Sequence, residues 1–518
     1  MADARGLRDV ILRTCLYVAS THQATLGNMV RNLEGPAHRE IRSCLLLQNL
    51  CKEIEEVCHP TSSIHRAWVL ITPAAVPSTL PRGLNQLGNT CYLNSLIQYL
   101  CTIADIRAAV LAFYTPDKTL MLRDRRTIDD EVAEMASGPK LRRSINFVRQ
   151  LALIFHQLEH DPRPSITPTI ELAKLALKSS NLPEYGAKHL ENSETRKYGR
   201  EPHGARSDRM MVLGYQQDIM ECLDNCLVQL ETALMNADAP KYNPDENLIK
   251  RLFYGRLVQR IIEESPKSDR PTLEKEDIYS HLPLGIPVGS VDLYDVLDGH
   301  FSSAVESQGA QCQMNIELIG VPPLLQIQLK RALFNPITQQ PYKDQARVIL
   351  PDTLFLDRYL SDSDEDTKAK SMSIRKQISR ARERLQSLKQ TRDAEIHASQ
   401  GERKSTRREI DSLKLQISAL KTEAEKVWAG YQEMAYQLAS VFIHEGTSTS
   451  GGHYYFYSRN LPAHPDEWLK YDDSAVSVVD AEEVYADTAG RSANAYFLVY
   501  ARKGSGIIRT INRIASSI

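Results

Sequence analysis

Apolar residues recur along the chain with two different periods, and each period predicts a different kind of element. Between residues 93 and 100 the apolar positions follow the i, i+3, i+4, i+7 spacing of one helix face, so a helix is predicted to begin near Cys91. The pattern stays helical from 83 to 240, except at 180–208, where polar residues with glycine and proline predict a surface loop.

The second half of the chain carries the period of two that is typical of strands. Short β-type runs dominate residues 250–357, and Leu325, Ile327 and Leu329 alternate with polar residues, which predicts a strand with one buried face. Further strands are predicted within 441–500. A helical first half followed by a β-rich second half predicts an α+β fold.

A long helical segment interrupts the β-rich half. Apolar or small residues between 374 and 438 are spaced alternately three and four apart, which is the seam of a coiled coil. Gly401 lies between the two runs and favours an antiparallel hairpin with arms about 40–50 Å long. Two interpretations stay open: a rigid spur, or an arm for self-association or partner docking, because a two-helix seam leaves apolar surface to cover.

These patterns predict four divisions of the chain. Residues 1–80 form a helical extension that ends in a proline-spaced linker, and 81–502 form the main domain. The helical insertion occupies 361–440 within that domain, and the mildly basic residues 503–518 are expected to be a frayed tail.

Composition and charge restrict the class of protein. With 518 residues, 42% apolar content and a net charge of -2, the chain can bury large cores and is not intrinsically disordered. It has no apolar run long enough to cross a membrane and no secretion signal at its start, which predicts a soluble protein of the cytoplasm, with the nucleus as a second location. The balanced charge argues against nucleic acid as a partner.

Nine cysteines without paired spacing are typical of reduced thiols rather than of a disulfide framework. Cys44, Cys51 and Cys58 repeat every seven residues and so share one helix face. A metal site needs tighter ligand spacing, so packing is the favoured interpretation of this row.

Cys91 has a chemical setting that the other cysteines lack. It follows a turn-rich stretch and opens the predicted helix, where unpaired N–H groups and the positive end of the helix dipole stabilise a thiolate. Downstream, a glycine/serine loop leads to His453 at the start of an aromatic strand, and Asp472 follows a second short strand. Cysteine, histidine and aspartate in this order are typical of thiol hydrolases.

Five segments, in this order along the chain, resemble the motifs of the ubiquitin-specific proteases. They read GLNQLGNTCYLNS from Gly83, GYQQDIMECL from Gly214, LLQIQLKR from Leu324 with PDTL from Pro351, GGHYYFY from Gly451 and WLKYDDS from Trp468. The resemblance covers roughly residues 81–502 and implies a papain-like fold, in which a helical thumb and a β-rich palm meet at the active cleft beside a fingers sheet. Gln86 and the helical insertion resemble a fungal subgroup, the ubiquitin carboxyl-terminal hydrolase 2 type.

The resemblance implies roles for individual residues. Cys91 is the expected nucleophile, His453 the expected acid and base, and Asp472 the residue that orients the imidazole. Gln86 stands where the family usually has an asparagine that donates to the oxyanion, and it keeps the amide on a chain one methylene longer. Asn85 is a second candidate donor, although its register does not match the motif.

Three further acidic residues are assigned to the substrate site by the same resemblance. Asp218 and Glu221 match the acids that face the arginine-bearing tail of ubiquitin, whereas residue spacing by itself favours simple compensation of the helix dipole. Asp473 either assists catalysis beside Asp472 or caps the following turn.

No metal and no cofactor are predicted. Many relatives bind zinc in the fingers through two CxxC pairs, but residues 250–320 contain only Cys312.

The resemblance predicts a deubiquitinating thiol protease whose partners are ubiquitin and ubiquitinated proteins. Two alternatives stay open: a weak or inactive ubiquitin-binding scaffold, suggested by Gln86, and a protease for a ubiquitin-like modifier.

Overall fold

The structure is a computed structural model, and it describes residues 80–114, 138–177, 218–237, 247–263, 273–287, 292–307, 310–394, 400–448, 451–488 and 492–511. The predicted extension before residue 80, its row of three cysteines and the predicted loop at 180–208 lie outside these residues. The described part of the chain belongs to one compact unit, which spans Leu80–Ser516.

Helices and strands mix in this unit, as the sequence predicted. The helices are α1 (Cys91–Thr102), α2 (Ala104–Leu111), α3 (Pro139–His160), α4 (Ile170–Leu177), α5 (Ile219–Ala237), α6 (Leu248–Phe253), α7 (Leu293–Phe301), α8 (Glu365–Ala394), α9 (Gln400–Trp428) and α10 (Ala481–Thr488). None of the helices in the described ranges is both long enough and apolar enough to cross a membrane.

The strands fall into two larger sheets and two short pairs. They are β1 (Gly83–Leu84), β2 (Ser165–Ile166), β3 (Gly255–Glu263), β4 (Leu273–Tyr279), β5 (Leu282–Gly285), β6 (Ser302–Ser307), β7 (Ala310–Gly320), β8 (Leu324–Lys330), β9 (Ala332–Asn335), β10 (Gln340–Lys343), β11 (Thr353–Phe355), β12 (Ala435–Glu445), β13 (His453–Asn460), β14 (His464–Asp472), β15 (Ala475–Val479) and β16 (Ala493–Arg502).

An eight-stranded sheet forms the centre of the molecule. Its order is β15-β14-β13-β12-β16-β8-β5, with β11 also paired to β12, and only β5 and β8 run parallel. A second sheet, β4-β3-β7-β6, is antiparallel throughout. The pairs β1–β2 and β9–β10 complete the strands of the described residues.

Both faces of the central sheet are covered, and the described residues form an apolar core on each face. Phe442, Phe456 and Phe497 face the first core, which they share with α1, α3 and α5. Val441 and Leu498 face the second core, which α7 and strands of the second sheet complete. Helix α1 lies wholly inside, since each of its residues is buried.

The strand predicted at 324–330 is confirmed as β8, but the prediction of a single buried face was wrong. Gln326 is as buried as Leu325 and Ile327, because α1 covers the face on which it lies. Its amide nitrogen donates to the Tyr99 hydroxyl at 2.9 Å, which satisfies that nitrogen within the core.

Two long helices are inserted between the paired strands β11 and β12. Ile374 and Ile378 of α8 pack on Leu420 of α9, and farther along Leu385 and Leu388 pack on Ile410, so the helices run antiparallel. The predicted boundary at residue 440 was too late, because β12 begins at Ala435 in the middle of the sheet.

The prediction of a frayed tail was wrong for residues 503–511. Ile508 is buried and bridges to Ile103, and the Arg509 backbone nitrogen donates to the Thr102 carbonyl at 2.7 Å. The chain after β16 therefore packs against the junction of α1 and α2.

Candidate active site

Cys91, His453 and Asp472 are brought together by the start of α1, the start of β13 and the end of β14. The backbone nitrogen of Tyr454 donates to the Cys91 sulfur at 3.3 Å, and the side chains of His453 and Cys91 are hydrogen-bonded. His453 Nε2 lies 2.7 Å from Asp472 Oδ1. Cys91 and Tyr454 are 363 positions apart in the sequence.

The electrostatics of the three groups favour a charged imidazole. Hydrogen bonds from the His453 ring to Asp472 and, next in size, to Cys91 raise the pKa of His453 to about 10. The same hydrogen bond lowers the pKa of Asp472 in spite of its partial burial. By contrast, burial raises the pKa of the Cys101 thiol far above its ordinary value, so Cys101 of the same helix is not a candidate nucleophile.

Strand register sets the position of His453. The residue pairs with Glu445 across β12 and β13, directly after Gly452. A Cβ atom at Gly452 would lie 2.4 Å from the Glu445 carbonyl oxygen and 2.5 Å from His444 Nε2. Glycine is therefore required immediately before the histidine.

Asp473 contacts the segment that precedes the nucleophile. Its carboxylate accepts a hydrogen bond from the Gln86 amide and another from Asn94 Nδ2, at 2.8 Å for Asn94. Its backbone has φ of +49°, and its carbonyl accepts from the Leu84 nitrogen at 2.7 Å. The carboxylate thus orients side chains of the chain itself, and a direct contact of Asp473 with substrate stays a prediction.

The two amides before Cys91 point to different partners. Gln86 is exposed and bonds to Asp473, which uses one of its two amide hydrogens and leaves the other for a ligand. Asn85 donates instead to the Thr167 hydroxyl at 2.9 Å. Of the two donors considered from the sequence, Gln86 is the one that is hydrogen-bonded to Asp473, the neighbour of Asp472.

Asn94 is a site residue that the sequence reasoning missed. It lies one helical turn after Cys91, is buried, and donates to the Leu84 carbonyl at 3.1 Å as well as to Asp473. Its place in the motif around Cys91 was the available signal.

The acids of α5 lie at the beginning of that helix. Asp218 accepts from the Met220 backbone nitrogen at 2.7 Å, as a helix cap does, and from the Tyr496 hydroxyl at 2.6 Å. Tyr496 packs edge-on against Tyr454, the neighbour of His453. Glu221 is exposed on the same first turn.

Donor atoms of His453, Asp472 and Asp473 lie within 4.8 Å of one another, a spacing that metal ligands also have. The carboxylates already accept hydrogen bonds from His453, Gln86 and Asn94. The polar contacts of this group are therefore explained without an ion.

Comparison with known proteins adds a family match. The sequence model of the family described as ubiquitin carboxyl-terminal hydrolase matches residues 82–500. This range includes each predicted site residue.

Individual relatives agree with that match. The chain is 27% identical to the probable ubiquitin carboxyl-terminal hydrolase 2 of Schizosaccharomyces pombe, over 84% of this chain and 46% of the relative. It is 25% identical to ubiquitin carboxyl-terminal hydrolase 2 of Saccharomyces cerevisiae, over 85% of this chain and 42% of the relative. Ubiquitin carboxyl-terminal hydrolase 28 of Mus musculus is 23% identical over 68% of this chain and 29% of the relative. The chain thus spans less than half the length of these relatives.

Proposed function

The chain belongs to the ubiquitin carboxyl-terminal hydrolase family, and from this premise we propose that it is a deubiquitinating cysteine protease. It would hydrolyse the peptide or isopeptide bond after the C-terminal glycine of ubiquitin. The observation that carries the proposal is the hydrogen-bonded series from Cys91 through His453 to Asp472. The helical layer, the central sheet and the four-stranded sheet would correspond to the thumb, palm and fingers of a papain-like protease.

In the first half of the reaction, the Cys91 thiolate attacks the carbonyl carbon of the terminal glycine. The carbonyl π electrons move to oxygen, which gives a tetrahedral oxyanion. When this intermediate collapses, the C–N bond breaks and the leaving amine takes a proton from His453. Because the pKa of His453 is raised, the ring stays protonated until it protonates the leaving amine.

In the second half, His453 is neutral and acts as the base. It removes a proton from water, and the resulting hydroxide attacks the thioester carbonyl. When the second tetrahedral intermediate collapses, the C–S bond breaks and the thiolate is restored beside the protonated imidazole. Ubiquitin leaves as a carboxylic acid, which releases its proton to solvent and becomes the free carboxylate. Asp472 accepts a hydrogen bond from the ring in both halves and fixes its orientation.

Gln86 would donate to the oxyanion through the amide hydrogen that Asp473 does not use. The anchored carboxylate of Asp473 and the buried amide of Asn94 support this donor, because they fix the turn that precedes α1.

Asp218 and Glu221 would bind the arginine-bearing tail of ubiquitin at the start of α5. Both are exposed. The Tyr496 hydroxyl donates to Asp218, and Tyr496 packs against Tyr454, the neighbour of His453. Paired contacts between arginine and carboxylate would hold the scissile bond beside Cys91.

Self-association through the hairpin of α8 and α9 stays a prediction, as does a location in the cytoplasm and nucleus. One exposed apolar side chain on the hairpin, Leu415, supports the first of these.

Release of a fluorophore from ubiquitin C-terminal amides tests the proposed activity. The wild-type chain should release it, and Cys91→Ala should lose all measurable turnover. Cys101→Ala is the matched control, because it removes a buried thiol from the same helix and should retain turnover.

Parallel reactions separate the alternatives. Turnover only with the amide of a ubiquitin-like modifier would replace ubiquitin as the substrate. Binding of ubiquitin by the wild-type chain without any turnover would overturn the protease and favour the scaffold.

A further inference from the structure

Lys343 is a buried lysine that the mechanism above does not use. It ends β10, its residue is 7% exposed, and its ammonium donates to three backbone carbonyls. The distances from Nζ are 2.7 Å to the His444 oxygen, 2.9 Å to the Gly446 oxygen and 3.3 Å to the Ser492 oxygen. An ammonium group has three N–H donors, so each donor has one acceptor.

The three carbonyls belong to the backbone that carries the catalytic histidine. His444 and Gly446 flank Glu445, the residue that pairs with His453. Ser492 immediately precedes β16, and its oxygen also accepts from the Gly446 nitrogen at 2.9 Å. Lys343 therefore joins the end of β12 to the start of β16, next to the point where β13 begins with His453.

Lys343 is itself held in place from the other side. Arg331, which is fully buried, donates to the carbonyls of Asp344 and Ala346, at 3.1 and 2.8 Å, and to that of Ala495 at 2.6 Å. The backbone directly after Lys343 thus cannot shift without breaking bonds to β16. A fixed donor can set the position of the carbonyls that it contacts.

We propose that Lys343 is a positioning residue for His453. Its charged ammonium holds the carbonyls of His444 and Gly446, on either side of Glu445. These contacts fix the position of β12 relative to β13, and so the distance from the His453 imidazole to Cys91. This role of Lys343 depends only on the contact between Cys91 and His453, which alkylation of Cys91 can probe. Cleavage of a ubiquitin amide probes the same role and rests in addition on the proposed function.

The geometry has a consequence for pH dependence. Burial and the nearby charge of Arg331 lower the pKa of Lys343 to about 8, whereas Glu445 acts in the opposite direction. The third titratable neighbour, His444, has its pKa lowered to about 4 by burial and by Lys343, so its ring is neutral here. A neutral amine has two N–H groups, so above about pH 8 one of the three carbonyls loses its hydrogen bond from Lys343.

The lowered pKa of Lys343 also predicts that the free energy of unfolding will not fall when the ammonium loses a proton and one hydrogen bond. Because the pKa of Lys343 is lower in the folded chain, the unfolded chain binds more protons between about pH 8 and the usual value of 10.5. The contribution of this residue to the free energy of unfolding therefore rises across that window. A loss of activity without a loss of stability distinguishes positioning from a merely structural role.

Alkylation of Cys91 by iodoacetamide tests the proposal without ubiquitin. Lys343→Met removes the donors, Lys343→Arg keeps a charged donor, and Lys174→Met is a control on the exposed face of α4. The rate would be followed on the Cys91 peptide by mass spectrometry. At pH 7, Lys343→Met should react about 10- to 100-fold more slowly than wild type, which is the range expected for a reacting group displaced by up to about 1 Å. His453→Ala lacks the imidazole and gives the lower limit of the alkylation rate.

Cleavage of the ubiquitin amide supplies the second readout. Lys343→Met should lower kcat and leave KM unchanged, because substrate contacts are retained. From pH 8 to 9.5, wild type should lose turnover relative to Lys343→Arg, whose guanidinium stays charged. Circular dichroism checks that each variant is folded; if Lys343→Met is not, the comparison of wild type with Lys343→Arg across pH decides.

Equal alkylation rates for wild type and Lys343→Met would overturn the proposal, as would a change confined to KM or identical pH profiles for wild type and Lys343→Arg. If wild type fails to cleave ubiquitin, the proposed function is overturned, and the alkylation rates still decide the role of Lys343.

Discussion

Two amide side chains, Gln86 and Asn94, meet on the carboxylate of Asp473 at the first turn of α1. A single acid thus orients the residue five positions before the nucleophile and the residue three positions after it. The Asp473 carboxylate binds two side chains beside Cys91, which favours an assisting role over capping of the following turn. This arrangement also explains how glutamine can stand in the place of the usual asparagine: the longer side chain is held by a bond at its amide.

Gln86→Ala should lower kcat at least about tenfold and leave KM unchanged, because an oxyanion donor acts on the transition state. Asn85→Ala is the matched control, since the neighbouring amide is bonded to Thr167 and should not affect the rate. Steady-state hydrolysis of the ubiquitin amide measures both. An unchanged kcat in Gln86→Ala would remove this residue from the mechanism.

The bond between His453 and Asp472 should contribute to stability in a defined pH window. The pKa of His453 is raised to about 10, so its contribution is complete below its usual value of 6.5 and is lost as the pH rises through 10. The pKa of Asp472 is lowered, so its contribution is present above its usual value of 3.8 and is lost as the pH falls below it.

Wild type and Asp472→Asn should therefore differ most in urea midpoint between about pH 4 and 6.5, and the difference should shrink toward pH 10. Urea unfolding followed by fluorescence at five pH values measures this difference. A difference that does not vary with pH would show that packing, rather than the charge pair, is the source of the effect.

At the scale of elements, the inserted hairpin is fixed along α7 by charge. Three acids spaced three residues apart on or beside α7 face three cations of the hairpin: Lys421 contacts Asp292 and Asp295, Arg382 contacts Asp295, and Arg375 contacts Asp298. Burial alone would raise the pKa of Asp295, but bonds from Lys421 and Arg382 lower it. The basal half of the hairpin is thus a brace fixed to α7, which agrees with a rigid spur, and self-association through the hairpin stays a prediction.

Asp295→Ala should lower the free energy of unfolding by about 3 kcal/mol, because it leaves the partly buried Arg382 without its carboxylate and Lys421 with Asp292 alone. The change also removes the capping box at the start of α7. Asp277→Ala is the control: it breaks an exposed pair with Lys275 and should leave the free energy of unfolding nearly unchanged. Equal urea midpoints for the two variants would contradict the brace.

At the scale of the whole molecule, the two ends of the inserted hairpin lie next to each other. The Leu356 nitrogen donates to the Met434 carbonyl at 3.0 Å, and the Asp357 carboxylate accepts from the nitrogens of Glu433 and Met434. A short linker can therefore replace the helices at residues 365–428. A cut at 438 would instead remove the first residues of β12.

Replacing residues 365–428 by a short glycine/serine linker should retain cleavage, because the site residues lie elsewhere, and should reduce the mass of any self-associated form. Light scattering of the two chains at matched concentrations measures the mass. If the deletion leaves the state of association unchanged, the hairpin does not mediate it.

The sequence by itself determined the features that depend on local spacing. The helix that opens at Cys91, the strand at 324–330 and the two long inserted helices follow from periods of 3.6 and 2 within short stretches. The order of the motifs was sufficient to predict that Cys91, His453 and Asp472 form one site, and the structure brings their side chains together.

Only the tertiary structure decided which groups are buried and which partners they have. Gln326 is buried because α1 covers its strand, residues 503–511 pack because α1 and α2 lie beside them, and Asn94 finds Asp473 across 379 positions. Lys343 gave no sequence signal, since its acceptors are backbone carbonyls up to 149 positions away. Periodicity is set by neighbours in sequence, whereas burial and hydrogen bonding are set by neighbours in space, and these are fixed only when distant segments pack together.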